Sequence, residues 1–391
     1  MKDTTAEIVF TLPAAMGGVA SFNFNLINTA SLKGTITTRV ILIKAKEDTR
    51  PVFTDQFDVD DFFVFEYSYQ ENQYFVCKRL EKLIGKKKGA VVCDNALTIQ
   101  CCKLFNNPKT LFHLIHDYFY VKQNVFFDRA IDVAVAHSSF FSDSVFAASP
   151  TSFANRIFYI PYGVKQHQQM PVKESGQPLK LFFLGRLDHG KGVEKLIDIE
   201  NKLKAKAIDV EWTVIGMGKL ESEIKQQWNG KTNVSFEKPQ SSVDVYNVLL
   251  KQDVFVFPTE FEGTPVSIME ALSNANVVIV SDLPGGIRDM VTTDVGYRVS
   301  INNTIDFANQ LELLHKDRAL LKTLQENAWQ KAVNNFNAEK NSDKYFELFL
   351  RFDEFKRKNT SPSKIRLNYL DKPYFPNVMV KLIRKILSKK I

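Results

Sequence analysis

The feature that most constrains this chain is an alternation that runs through it twice. Apolar runs of strand length are separated by longer stretches with helical spacing. Residues 8–12, 40–44, 62–65, 90–93, 111–115, 133–136 and 158–160 read as strands, and stretches between them, such as 72–83 and 95–105, read as helices. A polar stretch at 165–178, rich in Gln with two Pro and one Gly, interrupts the pattern. It then restarts, with strands at 179–184, 211–215, 234–236, 254–257 and 277–280 and helices at 193–204, 220–228, 243–250 and 265–274. Alternation of this kind builds parallel sheets with helical crossovers. The expectation is two tandem α/β domains, 1–164 and 179–340, joined by a linker at 165–178 and followed by helices over 341–391. Ligands of open α/β sheets bind outside the carboxyl ends of the strands, so a central cleft between the two domains is the expected site.

Composition excludes several classes. A length of 391 residues suits two domains, and 45% apolar with 24% charged residues is globular usage. The 32 Phe point to a large aromatic core rather than a special aromatic site. No apolar run approaches the ~18 residues of a transmembrane helix. The start of the chain, with Lys2, Asp3 and Glu7, does not read as a signal peptide. Cys77, Cys93, Cys101 and Cys102 lack zinc-type spacing, and without a secretion signal they imply no disulfide framework, so a cytoplasmic location is expected. Of the net charge of +7, residues 355–391 hold eleven Lys/Arg against the single acid Asp371, which leaves the rest of the chain slightly acidic. The body is therefore not a nucleic-acid-binding surface.

The strongest chemical motif runs from Phe257 to Glu270. A buried strand ends at Phe257, a loop carries Glu262, Gly263 and Thr264, and Pro265 sits where a first helical turn tolerates it. Glu270 lies about five residues into that helix, ~7–8 Å from its start. Backbone amides and the helix dipole between the two carboxylates suit a diphosphate. Carboxylates on either side suit diols, each bond worth ~1.5–3 kcal/mol net. The second motif spans Gly185, Arg186, Lys191 and Gly192, a glycine-rich loop between a strand and a helix. Its cations suit the charge that builds on a departing diphosphate. Gly216-Met217-Gly218 is an incomplete dinucleotide fingerprint, because Glu221 fills the third glycine slot, and it reads better as a helix-capping turn. His116 ends a strand of the first domain, and Gly17 and Gly18 follow its first strand. Asp58 and Asp60 have the spacing of a metal-binding Asp-x-Asp, but their irregular acidic surroundings read as a solvated turn. No other group of residues has metal-ligand spacing.

Together these residues resemble the GT-B glycosyltransferases, and among them the retaining family numbered four. Gly185-Arg186-Leu187 with Lys191-Gly192 resembles that family's diphosphate loop, and Glu262 through Glu270 resembles its Glu-x7-Glu motif. Ser281 through Asp289 is similar to the segment that closes the nucleotide site, and Pro161 through Val164 to the entrance of the hinge. The resemblance implies transfer of a sugar from a nucleoside diphosphate to an acceptor hydroxyl with retention, without a metal or other cofactor. Uridine diphosphate is the preferred donor nucleotide, on family frequency. It implies that Arg186 and Lys191 stabilise the leaving diphosphate, Glu270 holds ribose, Glu262 holds the donor sugar, and His116 lies beside that sugar. Gly17, Gly18, Gly185, Gly263, Thr264 and Pro265 would border the donor. The first domain would bind a saccharide or lipid-linked acceptor of polysaccharide or glycolipid synthesis. Three positions depart from the family. Ser273-Asn274-Ala275-Asn276 lacks the usual Gly and Pro, Thr264 replaces an aromatic or apolar residue, and Asp289 replaces a Glu.

Other readings are a non-catalytic nucleotide-sugar-binding homologue, a Rossmann oxidoreductase using Gly216 and Gly218, and a metal-dependent transferase using Asp58 and Asp60. The tail carries its own expectation. Met379, Leu382, Ile383, Ile386 and Leu387 recur at helical spacing, with Lys381, Arg384, Lys385 and Lys389 on the other face. This amphipathic helix is either an anchor on an anionic membrane surface at the inner face, or an element packed back on the first domain. The stretch 369–376 before it, with two Pro, reads as a semi-rigid spacer.

Overall fold

The computed structural model describes residues 3–15, 18–50, 52, 56–173, 176, 178–238, 242–357 and 367–387. Gly17 and Lys389 lie outside the described residues. The chain divides into two units, Met1–Pro161 with Glu339–Ile391, and Tyr162–Ala338.

Each unit is built on one sheet. In unit 1 the strands are β1 (Asp3–Pro13), β2 (Ile36–Ala45), β3 (Asp61–Tyr67), β4 (Lys88–Cys93), β5 (Thr110–Ile115), β6 (Val133–Ala136) and β7 (Ile157–Tyr159). In unit 2 they are β8 (Leu179–Leu184), β9 (Val210–Ile215), β10 (Val234–Glu237), β11 (Val254–Phe257), β12 (Val277–Ser281) and β13 (Gly296–Val299). The orders are β3-β2-β1-β4-β5-β6-β7 and β10-β9-β8-β11-β12-β13, with parallel pairing throughout. The two units thus repeat one doubly wound topology, as the alternation predicted. The strand order reverses between β1 and β4 and between β8 and β11. At such switch points the loops leaving neighbouring strands diverge and open a crevice.

Unit 1 has crossover helices α1 (Gly18–Thr29), α2 (Gln73–Ile84), α3 (Ala96–Leu104), α4 (Tyr118–Phe126) and α5 (Ser139–Ala148). Unit 2 has α6 (Leu196–Ala205), α7 (Glu221–Gln227), α8 (Ser242–Leu249), α9 (Val266–Ser273), α10 (Gly286–Met290), α11 (Thr304–Lys316) and α12 (Arg318–Asn335). The chain ends with α13 (Ala338–Leu350), α14 (Phe352–Phe355) and α15 (Asn377–Leu387). Local sequence sets the starts of α2, α3, α4 and α5. Asn72, Asn95, Asp117 and Ser138 each accept a bond from an amide of the first turn, stabilising the helix by about 1 kcal/mol. Every residue of β6, β11 and β12 is buried, which is why these strands read as continuous Val, Ile and Phe runs.

The Phe-rich composition becomes core. Phe10 of β1 packs against Phe346 and Phe349 of α13 at ring-centroid distances of 5.9 and 5.8 Å, and Phe112 of β5 meets Phe349 at 5.2 Å. Each such ring removed from water is worth ~1.5–3 kcal/mol, and this draws the C-terminal helices back to unit 1. The helix α15 also joins unit 1. Its Val380 is fully buried, its Arg384 pairs with buried Asp371 at 2.8 Å, and Asn377 Oδ1 accepts from the Asn72 amide at 2.8 Å. The preceding stretch is not a spacer. Lys372 and Phe375 carbonyls both accept from Asn72 Nδ2 at 2.9 Å, fixing it against the start of α2. All four Cys are free and buried in unit 1, and burial pushes the Cys77 thiol up to about 12. No described helix is long and apolar enough to cross a membrane.

Candidate active site

The switch point of unit 2 gathers the charged residues that the sequence singles out. The loop leaving β8 is laced to the loop leaving β9: Gly185 N donates to Ile215 O at 3.1 Å, Leu187 N to Met217 O at 2.9 Å, and Leu220 N to Leu187 O at 3.0 Å. Gly216 and Gly218 make this possible. A Cβ on Gly216 would fall 2.0 Å from Gly185 O, and one on Gly218 would fall 2.3 Å from Leu187 O. These glycines therefore serve backbone packing. Gly192 plays the same part on the other side, with φ of +68° and a would-be Cβ 2.0 Å from Pro258 O. Glu260 N and Thr259 Oγ1 both donate to Gly190 O at 3.0 Å. The loops after β8 and β11 are thus fastened together.

This fastening brings Lys191 onto Glu262. The two form an ion pair, with side-chain exposures of 19% and 8%, and Thr259 Oγ1 lies 3.4 Å from Glu262 Oε1. Burial raises the Glu262 carboxyl above its ordinary value, while Lys191, Thr259 and Arg186 pull it back. Arg186 is the exposed cation of the loop: its side chain is 75% exposed and pairs with Asp188 at 3.2 Å.

The helix α9 completes the arrangement. Gly263 and Thr264 lead into Pro265, which occupies the cap position. Gly286 N donates to Gly263 O at 2.9 Å, so the start of α10 holds the loop before α9. Glu270 follows in the second turn. Burial alone pushes its carboxyl up to about 7, so no described cation offsets the cost of its charge. A carboxylate in that state favours a ligand that donates hydrogen bonds to it.

The sequence departure at 273–276 is resolved by a left-handed alanine. Ala275 has φ of +54°, Ala275 N bonds to Leu272 O and Asn276 N to Ala271 O, both at 3.0 Å, closing α9 as a Schellman motif. Side chains brace the turn. Asn274 Nδ2 donates to Glu270 O at 2.8 Å, and Lys173 Nζ donates to Asn276 Oδ1 at 2.8 Å. Lys173 also donates to Gln252 O at 2.7 Å, and burial pushes its ammonium down to about 7. Sequence reasoning missed Lys173, which sits in the polar stretch read as a linker.

In unit 1, His116 stands at the carboxyl end of β5, with a side chain only 3% exposed. Its Nε2 lies 3.4 Å from Asp94 Oδ2, and its ring packs against Tyr120 and His137 at 4.9 and 4.7 Å. Asn23 Nδ2 donates to the same Asp94 oxygen at 3.1 Å. Asp94 and Asn23 carried no motif, and only the topology brings them to His116. Gly18 opens α1, and a Cβ there would meet nothing within 4 Å. Asp58 pairs with Lys33 at 2.5 Å, and Asp60 accepts from the Thr38 amide at 2.8 Å. Both carboxylates are thus engaged within the protein. Among the described residues no group of three or more His, Cys, Asp or Glu could hold a metal ion.

Residues 165–331 match the family model described as glycosyl transferases group 1. The Escherichia coli UDP-Gal:alpha-D-GlcNAc-diphosphoundecaprenol alpha-1,3-galactosyltransferase is 31% identical over 156 residues, 39% of this chain and 39% of its own. The Campylobacter jejuni N,N'-diacetylbacillosaminyl-diphospho-undecaprenol alpha-1,3-N-acetylgalactosaminyltransferase is 28% identical over 175 residues, 45% of each chain. The chain therefore spans about two fifths of the length of the curated relatives it matches. The structure of Anabaena Alr3699/HepE in complex with UDP aligns with a TM-score of 0.69 at 15% identity, over 88% of this chain and 99% of that one, a likeness of fold.

Proposed function

We propose that this chain transfers a sugar from a nucleoside-diphosphate sugar to an acceptor hydroxyl, with retention at the anomeric carbon; the match of residues 165–331 to the model of the glycosyl transferases group 1 and the likeness of fold to HepE support this reading. The observation that supports this most is the Lys191–Glu262 pair, which joins the loops after β8 and β11 at the switch point of unit 2, with buried Glu270 in the second turn of the helix that follows. The diphosphate lies on the first-turn amides of α9 and the loop after β8. Arg186 and Lys191 take up the charge it gains as its bond to the anomeric carbon breaks. The acceptor oxygen forms the new bond to that carbon, and the acceptor proton departs with the diphosphate. Glu270 accepts the ribose hydroxyls and Glu262 the hydroxyls of the sugar. Within unit 1, Asp94 holds the His116 imidazole.

The nucleotide sugar is a co-substrate, and in this reading Arg186 and Lys191, rather than a metal, serve the diphosphate. Uridine diphosphate is the donor nucleotide we infer, in keeping with the E. coli relative named for UDP-Gal and with HepE bound to UDP. The names of the two relatives favour a saccharide on a lipid diphosphate as acceptor, in polysaccharide or glycolipid synthesis. Such an acceptor would be met at a membrane surface. The test is incubation with a panel of nucleotide sugars and lipid-linked saccharides, followed by NMR of the product. An α-linked product from an α-linked donor supports the reading. Inversion, or donor binding without transfer to any acceptor, overturns it.

A further inference from the structure

The helix α15 is docked the wrong way round for a core helix. A surface helix normally turns its apolar stripe inward. Here Val380, Arg384 and Asn377 face unit 1, while Val378, Met379, Leu382, Ile386 and Leu387 are exposed, Leu382 by 62%. The inward anchor is polar: Arg384 pairs with buried Asp371 and also donates to the carbonyls of Tyr69 and Glu71. The helix is thus folded and fixed while its apolar arc stays in water, an arrangement that marks an interaction surface.

The charges beside that arc have one sign. Lys381 and Lys385 flank it on α15, which carries no acid. Next to it, α2 presents Lys78, Arg79 and Lys82 along a groove floored by Phe75 and Pro376. The acids against which α15 rests are buried and engaged, Asp371 by Arg384 and Glu71 by Arg79, Asn377 and, at 4.0 Å, Lys381; exposed Glu47 accepts from the Ser68 hydroxyl and the Tyr69 amide. Exposed Tyr69 and Tyr374 belong to the segments on which α15 rests, side chains suited to the boundary between water and lipid. A second copy of the chain would bring these cations against one another, which disfavours a symmetric dimer through this face.

We propose that the α2–α15 surface of unit 1 docks on a bilayer containing anionic phospholipid. The apolar arc of α15 enters the acyl boundary, and Lys78, Arg79, Lys82, Lys381 and Lys385 meet the headgroup phosphates. The helix is preformed, so docking does not require it to fold on the membrane. The proposal is independent of the reaction proposed above.

The full chain is sedimented with vesicles of phosphatidylcholine alone and with vesicles carrying about 30% phosphatidylglycerol. Two double variants are compared, Leu382→Gln with Ile386→Gln, and Lys381→Glu with Lys385→Glu. All four positions are on the solvent side of α15, and thermal unfolding checks that each variant folds. Binding should need the anionic lipid, weaken in about 0.5 M salt, and fall at least tenfold in each variant. Leu382→Trp should show blue-shifted emission with anionic vesicles. Calorimetric binding of uridine diphosphate should be the same in all, which separates failure here from failure of the transferase reading. No vesicle binding by the parent chain, or equal binding by the variants, overturns the proposal. So does self-association in the absence of lipid that Leu382→Gln with Ile386→Gln abolishes, because the face would then belong to a second copy.

Discussion

Replacing Glu270 by Gln should strengthen the unliganded protein and weaken its hold on the nucleotide. The carboxyl is pushed from 4.5 up to about 7 by burial. A carboxyl raised in the folded state costs nothing below the unfolded value, and its cost grows as pH rises from about 4.5 to 7, where it levels off. At ~1.4 kcal/mol per unit, and discounted for partial contact with water, that cost is on the order of 2 kcal/mol at pH 8. Glu270→Gln removes it. The transition of unit 2 should rise by about 4–8 °C at pH 8 and by almost nothing near pH 4.5. Ribose hydroxyls donate to the ionised form, so donor binding must release the proton. Affinity of the parent protein for an intact nucleotide sugar should therefore fall about tenfold between pH 8 and pH 6. The intact donor is the ligand to use, because its diphosphate has no group that titrates in this range. In the variant the affinity should be about tenfold lower at pH 8 and flat with pH, since a charge-assisted bond has become a neutral one. Calorimetry at several pH values and thermal unfolding read both effects. A variant that melts lower at pH 8, or a parent whose donor affinity does not change between pH 8 and 6, would refute the reasoning.

Three further outcomes follow from the geometry. Glu262→Ala should weaken the intact donor at least tenfold more than the bare nucleoside diphosphate, whereas Glu270→Ala should weaken both alike, as calorimetry with the two ligands will show. Gly216→Ala would place a Cβ 2.0 Å from Gly185 O, so the loop after β8 must move. Thermal unfolding should register a loss of roughly 1–3 kcal/mol, and calorimetry a matching loss of nucleotide affinity. Ala275→Gly relieves a left-handed alanine at φ of +54° and should stabilise by about 0.5–1 kcal/mol in denaturant unfolding, with donor affinity unchanged.

Much of the fold was legible because parallel strands covered on both faces are unbroken apolar runs. The runs at 133–136, 179–184 and 254–257 coincide with β6, β8 and β11. The edge strand β13 escaped because its Gly296-Tyr297-Arg298-Val299 is neither apolar throughout nor flanked by a motif. The helix α4 was obscure for a different reason. It turns Gln123 and Asn124 inward to bond His113 and leaves Phe119 and Phe126 exposed, the reverse of the pattern that marks a helix in sequence. Lys191, Glu262 and Glu270 stood out in the sequence through their strand–loop–helix context rather than through spacing alone. Asp94 beside His116, and Lys173 beneath the end of α9, did not. Each reaches its partner across the sheet from a stretch with no pattern of its own, so only the strand order could reveal them. The turn after α9 lay between these cases: the absence of Gly and Pro was visible, but not that Ala275 would take the left-handed conformation with Asn274, Asn276 and Lys173 bracing it.

In the proposed reaction the β8 and β11 loops of unit 2 stabilise a departing nucleoside diphosphate. The most direct measurement is the rate of nucleoside diphosphate release at saturating nucleotide sugar, with acceptor present, for the parent protein and for Arg186→Ala and Lys191→Ala. Removing one preorganised charge-stabilising donor should lower the rate by roughly 10²–10³ in each variant. Arg186→Ala should leave unfolding unchanged, because its side chain is 75% exposed, while Lys191→Ala should melt lower by leaving Glu262 without its cation. Turnover near the parental rate in either folded variant would contradict the account.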